Sequence, residues 1–346
     1  MKFFVGILLI LTLGYIYLGL RLCRSPWEWL LLFLGIVPVI VFAFYRDSIL
    51  LLNLCFLSMG FLSFLLVFSL LRDASLLLPI RDLGRVPVIM LATLALTVGH
   101  IKAKYGITRK ETAIPVKNLT EELKGLKIVH LSDIHVGPTI GKEFVQKIVD
   151  RVNSEKADLI VLTGDIGDGK IDKFKDDALP LKNLDAKYGV FYVPGNHEYY
   201  SDAGAWMKYF SSLGMQVLAN NGMNIEIKGK KVFVGGVPDP VSGEMLNPRY
   251  PLKDADPEAA LKLLLSHRSE VAEEEGAENY DLIFAGHTHG GQFFPWTIVA
   301  YFAHKYYVGL YAFGERSHVY VSPGTGSWGP LVRLGTTPEI AVLTLR

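Results

Sequence analysis

Four long stretches without a single Asp, Glu, Lys or Arg dominate the first 101 residues of this 346-residue chain. They cover residues 3–20, 29–45, 48–71 and 86–101. A helix that crosses a lipid bilayer needs roughly 20 mostly apolar residues, within a range of about 17 to 25. Trp27, Trp29 and Tyr45 lie near the ends of these stretches, where membrane interfaces favour aromatic side chains. The sequence therefore predicts a transmembrane region over 1–101 with about four helices.

Two of these stretches allow another interpretation. Residues 3–20 could form a signal peptide, but they exceed a normal apolar core and lack a small-residue cleavage motif before Arg21. Residues 86–101 could form an interfacial or buried helix, because Gly99 and His100 make this stretch marginal. Four spans would put the C-terminal part on the same side as the N-terminus, and three would put it opposite. The Lys and Arg counts beside the stretches, six against five, lean only slightly toward a cytoplasmic domain. We expect a multi-pass protein of the cell membrane.

The rest of the chain has the composition of a soluble domain. Residues 102–346 carry 28 basic and 30 acidic side chains, and without a basic excess we expect no nucleic-acid partner. Cys23 and Cys55 both precede this part, which excludes a disulfide framework or a cysteine-based zinc site within it. We assign 102–125 to a connector with an edge strand and 126–346 to the folded domain.

Short apolar runs alternate with helical patterns in this domain. One helix is predicted over 143–153, where Phe144, Ile148 and Val152 repeat at helical spacing. Strands are predicted at 126–131, 159–162, 190–193, 217–218, 225–227, 232–234, 263–265, 282–285, 319–321 and 342–345. Parallel βα units followed by strand-rich stretches indicate an α/β fold with a mixed sheet.

Five of the predicted strands end at clusters of residues that can bind metals. The clusters are Ser132 to His135, Gly164 to Gly169, Gly195 to Glu198, Ser266-His267 and Gly286 to Gln292. Residues at the carboxyl ends of strands in an α/β sheet line the usual ligand crevice. Neighbouring glycines remove side-chain bulk and permit positive φ. Carboxylate oxygens together with imidazole nitrogens suit Zn, Mn or Fe better than Mg or Ca, which prefer oxygen ligands.

Three of the clusters also have a plain structural interpretation. Asp165 could be a turn aspartate, and His267 could be an ordinary histidine of the core or surface. Asn196 or His197 could cap a helix. Glycines flank two histidines in Gly286 to Gly291 directly after an apolar strand, which a structural role does not explain. The order and placement of all five clusters favour one metal site. We interpret the other four histidines as structural: His100, His130, His304 and His318.

The motifs Asp-x-His, Gly-Asp-x-x-Asp, Gly-Asn-His-Glu, a single His and Gly-His-x-His, in this order, resemble the calcineurin-like metallophosphoesterase superfamily. The resemblance covers about residues 116–346. The strings LSDIHVGPTIG, LTGDIGDG, VPGNHEYY, LLSHR, GHTHGGQFFP and YVSPGTGSWGPLVRLG resemble its membrane-targeted branch. The apolar N-terminus resembles transmembrane proteins with a metallophosphoesterase domain. The resemblance implies a membrane-spanning helical region followed by a four-layer α/β/β/α sandwich with mixed sheets.

The same resemblance implies a site with two divalent metal ions, for which Mn, Zn or Fe are expected. The ligands of the first ion would be Asp133, His135 and His289. The ligands of the second would be Asn196, His267 and His287, with Asp165 bridging both. His197 would face the substrate without binding a metal, and Asp168 would orient it. A metal-bridging hydroxide would then attack phosphorus while His197 protonates the leaving oxygen.

Two features depart from the family pattern. Gly169 and Lys170 follow Asp168, where phosphoprotein phosphatases carry an arginine, and this argues against a phosphoprotein substrate. Residues 256–265 are compact, so we expect the loop near His267 to differ from that of relatives.

An aromatic stretch after the last cluster bears on the substrate. Residues 293–296 and 298–311 are mostly apolar, and only His304 and Lys305 interrupt them with basic side chains. The stretch is either core or a covered helix, or it is a lipid-binding lip that raises the effective concentration of a lipid-borne phosphate. We expect the bilayer as a partner and a phosphoester substrate, with a lipid-linked one as an option.

The sequence thus predicts a membrane-anchored two-metal hydrolase of a phosphodiester, pyrophosphate or phosphomonoester. The alternative is a non-catalytic membrane sensor or scaffold that retains a metal-binding phosphoesterase fold.

Overall fold

A computed structural model describes residues 2–42, 48–78, 82 and 84–346. The chain divides into two compact units. The helical unit comprises residues 1–101 and 329–334, and the α/β unit comprises residues 102–328 and 335–346.

The helical unit contains α1 (Lys2–Leu22), α2 (Pro26–Phe42), α3 (Ile49–Ser75) and most of α4 (Arg85–Tyr105). Ser48 caps α3, because its side chain accepts a hydrogen bond from the Leu51 N–H. Two of the helices in the described ranges, α3 and α4, are long and apolar enough to cross a membrane. The predicted stretch 29–45 extends beyond α2 into residues 43–45, which lie outside the described residues. The prediction of four spans remains a prediction.

Residues 329–334 pack within the helical unit. The Arg333 N–H donates to the Gly99 carbonyl over 2.9 Å. His100 Nδ1 lies 3.1 Å from the Leu331 carbonyl oxygen, which agrees with its structural interpretation. The chain therefore leaves the α/β unit after Trp328 and returns to it at Gly335.

The α/β unit contains two six-stranded sheets. The first has the order β1-β12-β2-β3-β4-β5 and the second β10-β11-β9-β8-β7-β6. The strands are β1 (Thr108–Ile114), β2 (Lys127–Leu131), β3 (Leu159–Thr163), β4 (Val190–Val193), β5 (Gln216–Val217), β6 (Asn221–Ile227), β7 (Lys230–Gly236), β8 (Leu261–Leu265), β9 (Leu282–Ala285), β10 (Gly309–Phe313), β11 (Ser317–Val321) and β12 (Glu339–Leu345). The helices are α5 (Lys142–Ser154), α6 (Ile171–Ala178), α7 (Asn196–Ser201), α8 (Ala203–Ser212), α9 (Arg249–Leu252) and α10 (Trp296–Ala303).

Alternation of side chains along the strands builds the layers. Val161 of β3 and Leu263 of β8 belong to one buried cluster that joins the facing sides of the two sheets. Tyr192 of β4 points to the opposite side of the first sheet, where its ring packs 4.9 Å from that of Phe210 in α8. The predicted mixed α/β fold is confirmed, because β2 to β5 pair in parallel whereas β12 pairs antiparallel with β2.

Two strands, β1 and β10, were not among the strands predicted with bounds. The edge strand expected within 102–125 is β1, which pairs in parallel with β12. β10 was not predicted, since its residues fall within the aromatic stretch and pair only with β11. The other half of that stretch forms α10. Phe302 there is 81% exposed, so the interpretation of this segment as core is wrong.

Candidate metal centre

All five sequence clusters follow strands whose carboxyl ends point the same way in their sheets. β2, β3 and β4 pair in parallel in the first sheet, and β8 and β9 do so in the second. The loops after them are joined directly, since the Asp133 N–H donates to the Gly164 carbonyl and the His135 N–H to that of Asp165, each over 3.0 Å. The topology therefore brings distant parts of the sequence to one place.

The backbone turns sharply at the candidate ligands themselves. Five of them have positive φ between 49° and 68°: Asp133, His135, Asp165, His287 and His289. Residues other than glycine rarely adopt this left-handed conformation, and such outliers cluster at functional sites. The turns reverse the chain directly after each strand and aim the side chains back over the strand ends.

The first donor set consists of Asp133, His135 and His289. His135 Nε2 lies 3.0 Å from His289 Nε2, and His289 Nε2 lies 3.3 Å from Asp133 Oδ1. Asp133 is fully buried, and its carboxylate accepts a hydrogen bond from the His287 N–H over 3.0 Å. The three residues thus present one carboxylate and two imidazoles to a common point.

The second donor set consists of Asp165, Asn196, His267 and His287. His267 Nε2 is its centre, at 3.2 Å from Asp165 Oδ2, 3.1 Å from Asn196 Oδ1 and 3.2 Å from His287 Nδ1. The other nitrogen of His267 bonds to the Thr163 carbonyl over 2.7 Å, which fixes the ring. Asp165 Oδ2 also lies 3.8 Å from His135 Nε2, so this carboxylate borders both sets.

These separations fit a metal-binding role. Donors about 2.0–2.2 Å from one cation lie roughly 3 to 3.5 Å apart in tetrahedral or octahedral coordination. Two neutral imidazole nitrogens at 3.0 Å, as in His135 and His289, can share only one proton, whereas a cation can bind both lone pairs. The donor set, with its carboxylates, imidazoles and one amide, matches Zn, Mn or Fe.

His197 and Asp168 form a pair beside the first donor set. His197 Nδ1 lies 3.0 Å from Asp168 Oδ1, and the His197 ring packs edge-to-face 4.7 Å from that of His135. Tyr200 and Trp328 pack against the same ring at 5.3 and 5.7 Å. The contact with Asp168 uses Nδ1 and does not involve the other ring nitrogen, Nε2.

The buried charges shift one another. Burial raises the pKa of Asp133. Burial would also raise the pKa of Asp165, but the neighbouring His267 and His135 hold it well below its usual range. Burial alone would lower the pKa of His267, but the charge and hydrogen bond of Asp165 raise it to about 10. Burial lowers the pKa of His287 to about 3, helped by the charge of His267.

The His197 pair behaves in the same way. Burial alone would lower the pKa of His197, but the bond to Asp168 and the charge of Asp165 raise it above its usual value. Burial alone would raise the pKa of Asp168, yet its contacts with His135 and His197 hold it below the usual range. The pair therefore favours an imidazolium next to a carboxylate.

Glu198 is a supporting residue to which sequence analysis assigned no role. Its buried carboxylate accepts hydrogen bonds from four backbone N–H groups over 2.7 to 3.0 Å. The donors are Asp165, Ile166, Gly167 and Gly195. Burial and the charge of Asp165 raise the pKa of Glu198 to about 7. The available signal was the position of Glu198 three residues after Gly195, the residue that precedes α7, because a glutamate there can accept from the Gly195 N–H.

Two of the histidines interpreted as structural, His130 and His304, form hydrogen bonds with residues outside the donor sets. His130 is buried within β2 and bonds to Thr163 Oγ1 over 2.7 Å. His304 bonds to Glu270 over 3.1 Å, but its ring also lies 6.2 Å from that of His287. His304 therefore borders the second donor set.

Comparison with known proteins agrees with this arrangement. The pattern of the calcineurin-like phosphoesterase family matches residues 126–291. A transmembrane protein with metallophosphoesterase domain from Danio rerio is 34% identical over 73% of this chain and 62% of its own length. An uncharacterized metallophosphoesterase from Helicobacter pylori is 35% identical over 68% of this chain and 63% of its own length.

A shorter relative is covered more completely. An uncharacterized metallophosphoesterase from Aquifex aeolicus is 31% identical over 66% of this chain and 88% of its own length. By contrast, the chain spans just over three fifths of the Danio rerio and Helicobacter pylori relatives. From the ordered motifs, their convergence at one edge of two sheets and these similarities, we conclude that the chain belongs to the calcineurin-like phosphoesterase family.

Proposed function

We propose that this chain is a membrane-anchored hydrolase that uses two divalent cations to cleave a phosphodiester, pyrophosphate or phosphomonoester. The observation that carries the proposal is the position of Asp165, whose Oδ2 lies 3.8 Å from His135 Nε2 in the first donor set and 3.2 Å from His267 Nε2 in the second. His197 lies beside the first set, where it forms a third group of possible metal ligands with His135 and Asp168, and we assign it to the substrate because Asp168 holds its Nδ1. A single structural ion would need neither a shared carboxylate nor a further oriented histidine.

The donor sets suggest how the ions would be held. Asp133, His135 and His289 would bind one, and Asn196, His267 and His287 the other, with Asp165 contributing to both. Bound divalent cations at such a site polarise phosphoryl oxygens and lower the pKa of a water nucleophile. Two carboxylates facing two dications leave a net positive charge, which favours an anionic substrate.

His197 supplies the proton-transfer step from this chain's own residues. Asp168 holds Nδ1 at 3.0 Å and stabilises the charged ring, so Nε2–H can donate to the phosphoryl or leaving oxygen. The His197 side chain is 13% exposed, which leaves one edge open to a substrate while Trp328 and Tyr200 limit its rotation. General acid catalysis of this kind contributes typically about 10²–10⁴-fold to a rate.

The candidate membrane helices support one substrate class. An α/β unit attached to α3 and α4 would meet a lipid-borne phosphate at high effective concentration. We therefore propose a lipid-linked phosphoester or pyrophosphate as the preferred substrate. Turnover of a vesicle-borne phospholipid no faster than that of a soluble diester would count against this preference.

The decisive experiment uses the full chain in lipid nanodiscs. The protein is stripped of metal, reloaded with Mn²⁺ or Zn²⁺, and assayed with bis-(p-nitrophenyl) phosphate and with the corresponding monoester. We expect metal-dependent turnover that Asp165→Asn and His197→Ala abolish. His318→Ala, a histidine substitution in β11 away from the donor sets, is the matched control and should retain activity.

One outcome would favour the alternative of a non-catalytic sensor or scaffold. That outcome is a folded protein that binds two ions per chain but hydrolyses neither soluble ester nor vesicle-borne lipid. The ratio of diester to monoester turnover would otherwise begin to define the substrate.

A further inference from the structure

α10 presents an unusual surface for a helix of a soluble unit. It has no charged residue, and its sequence is Trp-Thr-Ile-Val-Ala-Tyr-Phe-Ala. Five large side chains are 49 to 81% exposed: Trp296, Ile298, Val299, Tyr301 and Phe302. Contiguous exposed apolar side chains mark a surface that contacts another apolar phase.

The inner side of α10 is already occupied. Thr297 lies against Gly335, where an added Cβ would meet its Cγ2 at 3.2 Å, and its N–H donates to the Phe293 carbonyl. The outer side combines Trp, Tyr and Phe with aliphatic residues, which is the composition that membrane interfaces favour. Interfacial helices of this kind lie in the membrane plane with the apolar side buried about 5–10 Å.

The chain connection identifies the apolar phase. α4 is apolar and long enough to cross a membrane, and it ends at Tyr105. β1 of the α/β unit begins at Thr108, and the three peptide steps between them span at most roughly 10 Å. With α4 in the membrane, so short a connection keeps the α/β unit at the membrane surface, where lipid is always within reach. A second copy of the chain would first have to diffuse to it.

α10 is firmly joined to the loop that carries two candidate ligands. Tyr307, which follows the helix, donates from its hydroxyl to the Gly290 carbonyl over 2.7 Å, and its own carbonyl accepts from Thr288 Oγ1 over 2.8 Å. The Tyr301 ring packs 5.7 Å from that of Tyr307. Gly290 and Thr288 are the direct neighbours of His287 and His289, so Tyr307 links α10 to the loop that carries these two candidate ligands.

From these observations we propose that α10 is an interfacial helix that inserts into the lipid surface and holds the metal centre beside it. The insertion does not depend on catalysis. Its consequence, access of a lipid-borne phosphate to the site, rests on the proposed function.

The test places a fluorescent probe on the helix in the full chain. Cys23 and Cys55 are replaced by alanine, and one cysteine is introduced as Phe302→Cys or Ile298→Cys and labelled with an environment-sensitive dye. Glu226→Cys is the control, because this exposed residue of β6 lies near the β6–β7 turn, at the end of the sheet opposite the site. Each protein is reconstituted in nanodiscs of phosphatidylcholine and phosphatidylglycerol, with nitroxide-labelled lipid or with iodide as quencher.

Insertion predicts a blue-shifted emission for the probes at 302 and 298. It also predicts quenching by nitroxide lipid, stronger for a label near the headgroup than near the chain end, and protection from iodide. The probe at 226 should respond to iodide alone. The proposal is overturned if the α10 probes behave like the control, or if both quenchers fail to reach them, which would mean that protein covers the helix. Because no step measures turnover, an inactive protein with an inserted α10 would refute the proposed function alone.

Discussion

Replacing Glu198 tests whether this buried carboxylate holds the Asp165 turn in place. In Glu198→Gln, the amide oxygen can still accept from Ile166 and Gly167, whose N–H groups now bond to Oε1. The amide nitrogen would face the N–H groups of Asp165 and Gly195, which now bond to Oε2. In Glu198→Ala all four N–H groups lose their acceptor.

The magnitude follows from the number of lost bonds. An unsatisfied buried N–H costs about 1–3 kcal/mol, so the glutamine variant loses roughly 2–6 kcal/mol and the alanine variant roughly 4–12 kcal/mol. Both variants also remove a buried carboxylate whose pKa is raised to about 7. Above that pH, the loss of this buried charge stabilises each variant by about 3 kcal/mol and offsets part of the cost. The glutamine variant should therefore be nearly neutral to moderately destabilised, and the alanine variant worse by at least about 2 kcal/mol.

Thermal unfolding of the metal-free full chain in detergent measures this difference. For a unit of this size, 1 kcal/mol corresponds to a Tm shift of about 2–4 °C, so alanine should melt at least about 4 °C below glutamine. Equal melting temperatures for the two variants would refute the reasoning, because they would mean that the four N–H groups find other partners.

Three further predictions concern the site. Asp168→Asn removes the carboxylate charge that helps to raise the pKa of His197, so the alkaline limb of the pH–rate profile should move to lower pH; a uniform loss of rate without this shift would contradict it. In Gly286→Ala, the new Cβ would lie 1.9 Å from Ser132 Oγ and 2.3 Å from Asp133 Oδ2, which displaces the Asp133 carboxylate. Metal affinity measured by chelator competition should therefore fall, and an unchanged affinity would refute the close packing. Removing bound metal with a chelator should lower the Tm, because ligand at a hundredfold excess over its Kd stabilises by about 2.7 kcal/mol per site; a Tm insensitive to metal would argue against the donor sets as metal sites.

Much of the α/β unit could be predicted because its strands are short, apolar and sharply ended. The runs at 159–162 and 190–193 correspond closely to β3 and β4, since glycine-rich turns interrupt the apolar pattern at their carboxyl ends. Parallel strands bring their ends to one edge, so the order of the five clusters was enough to place nine candidate site residues together. The number of bound ions and the role of each residue remain predictions.

Other features depend on contacts that a local pattern does not encode. β10 forms only by pairing with β11, and its aromatic residues give no alternation that would separate it from the preceding helix. The exposure of α10 was undecidable, because an apolar helix reads the same whether protein or lipid covers it. Glu198 stood in a recognised motif, but its four partners come from two loops more than 25 residues apart, at Gly195 and at Asp165 to Gly167.

The left-handed backbone at the candidate ligands shows why local propensity fails at this site. Each such residue costs about 1–3 kcal/mol and persists only where its surroundings over-determine it. Here protein contacts contribute to that support: Asp133 and His135 are fixed by backbone bonds to the neighbouring loop, and Asp165 by the turn that Glu198 holds. The glycines beside these residues make room for turns whose strain falls on the aspartates and histidines themselves. The sheets and loops therefore supply part of the energy that the strained ligand turns require, through contacts between loops that are distant in the sequence.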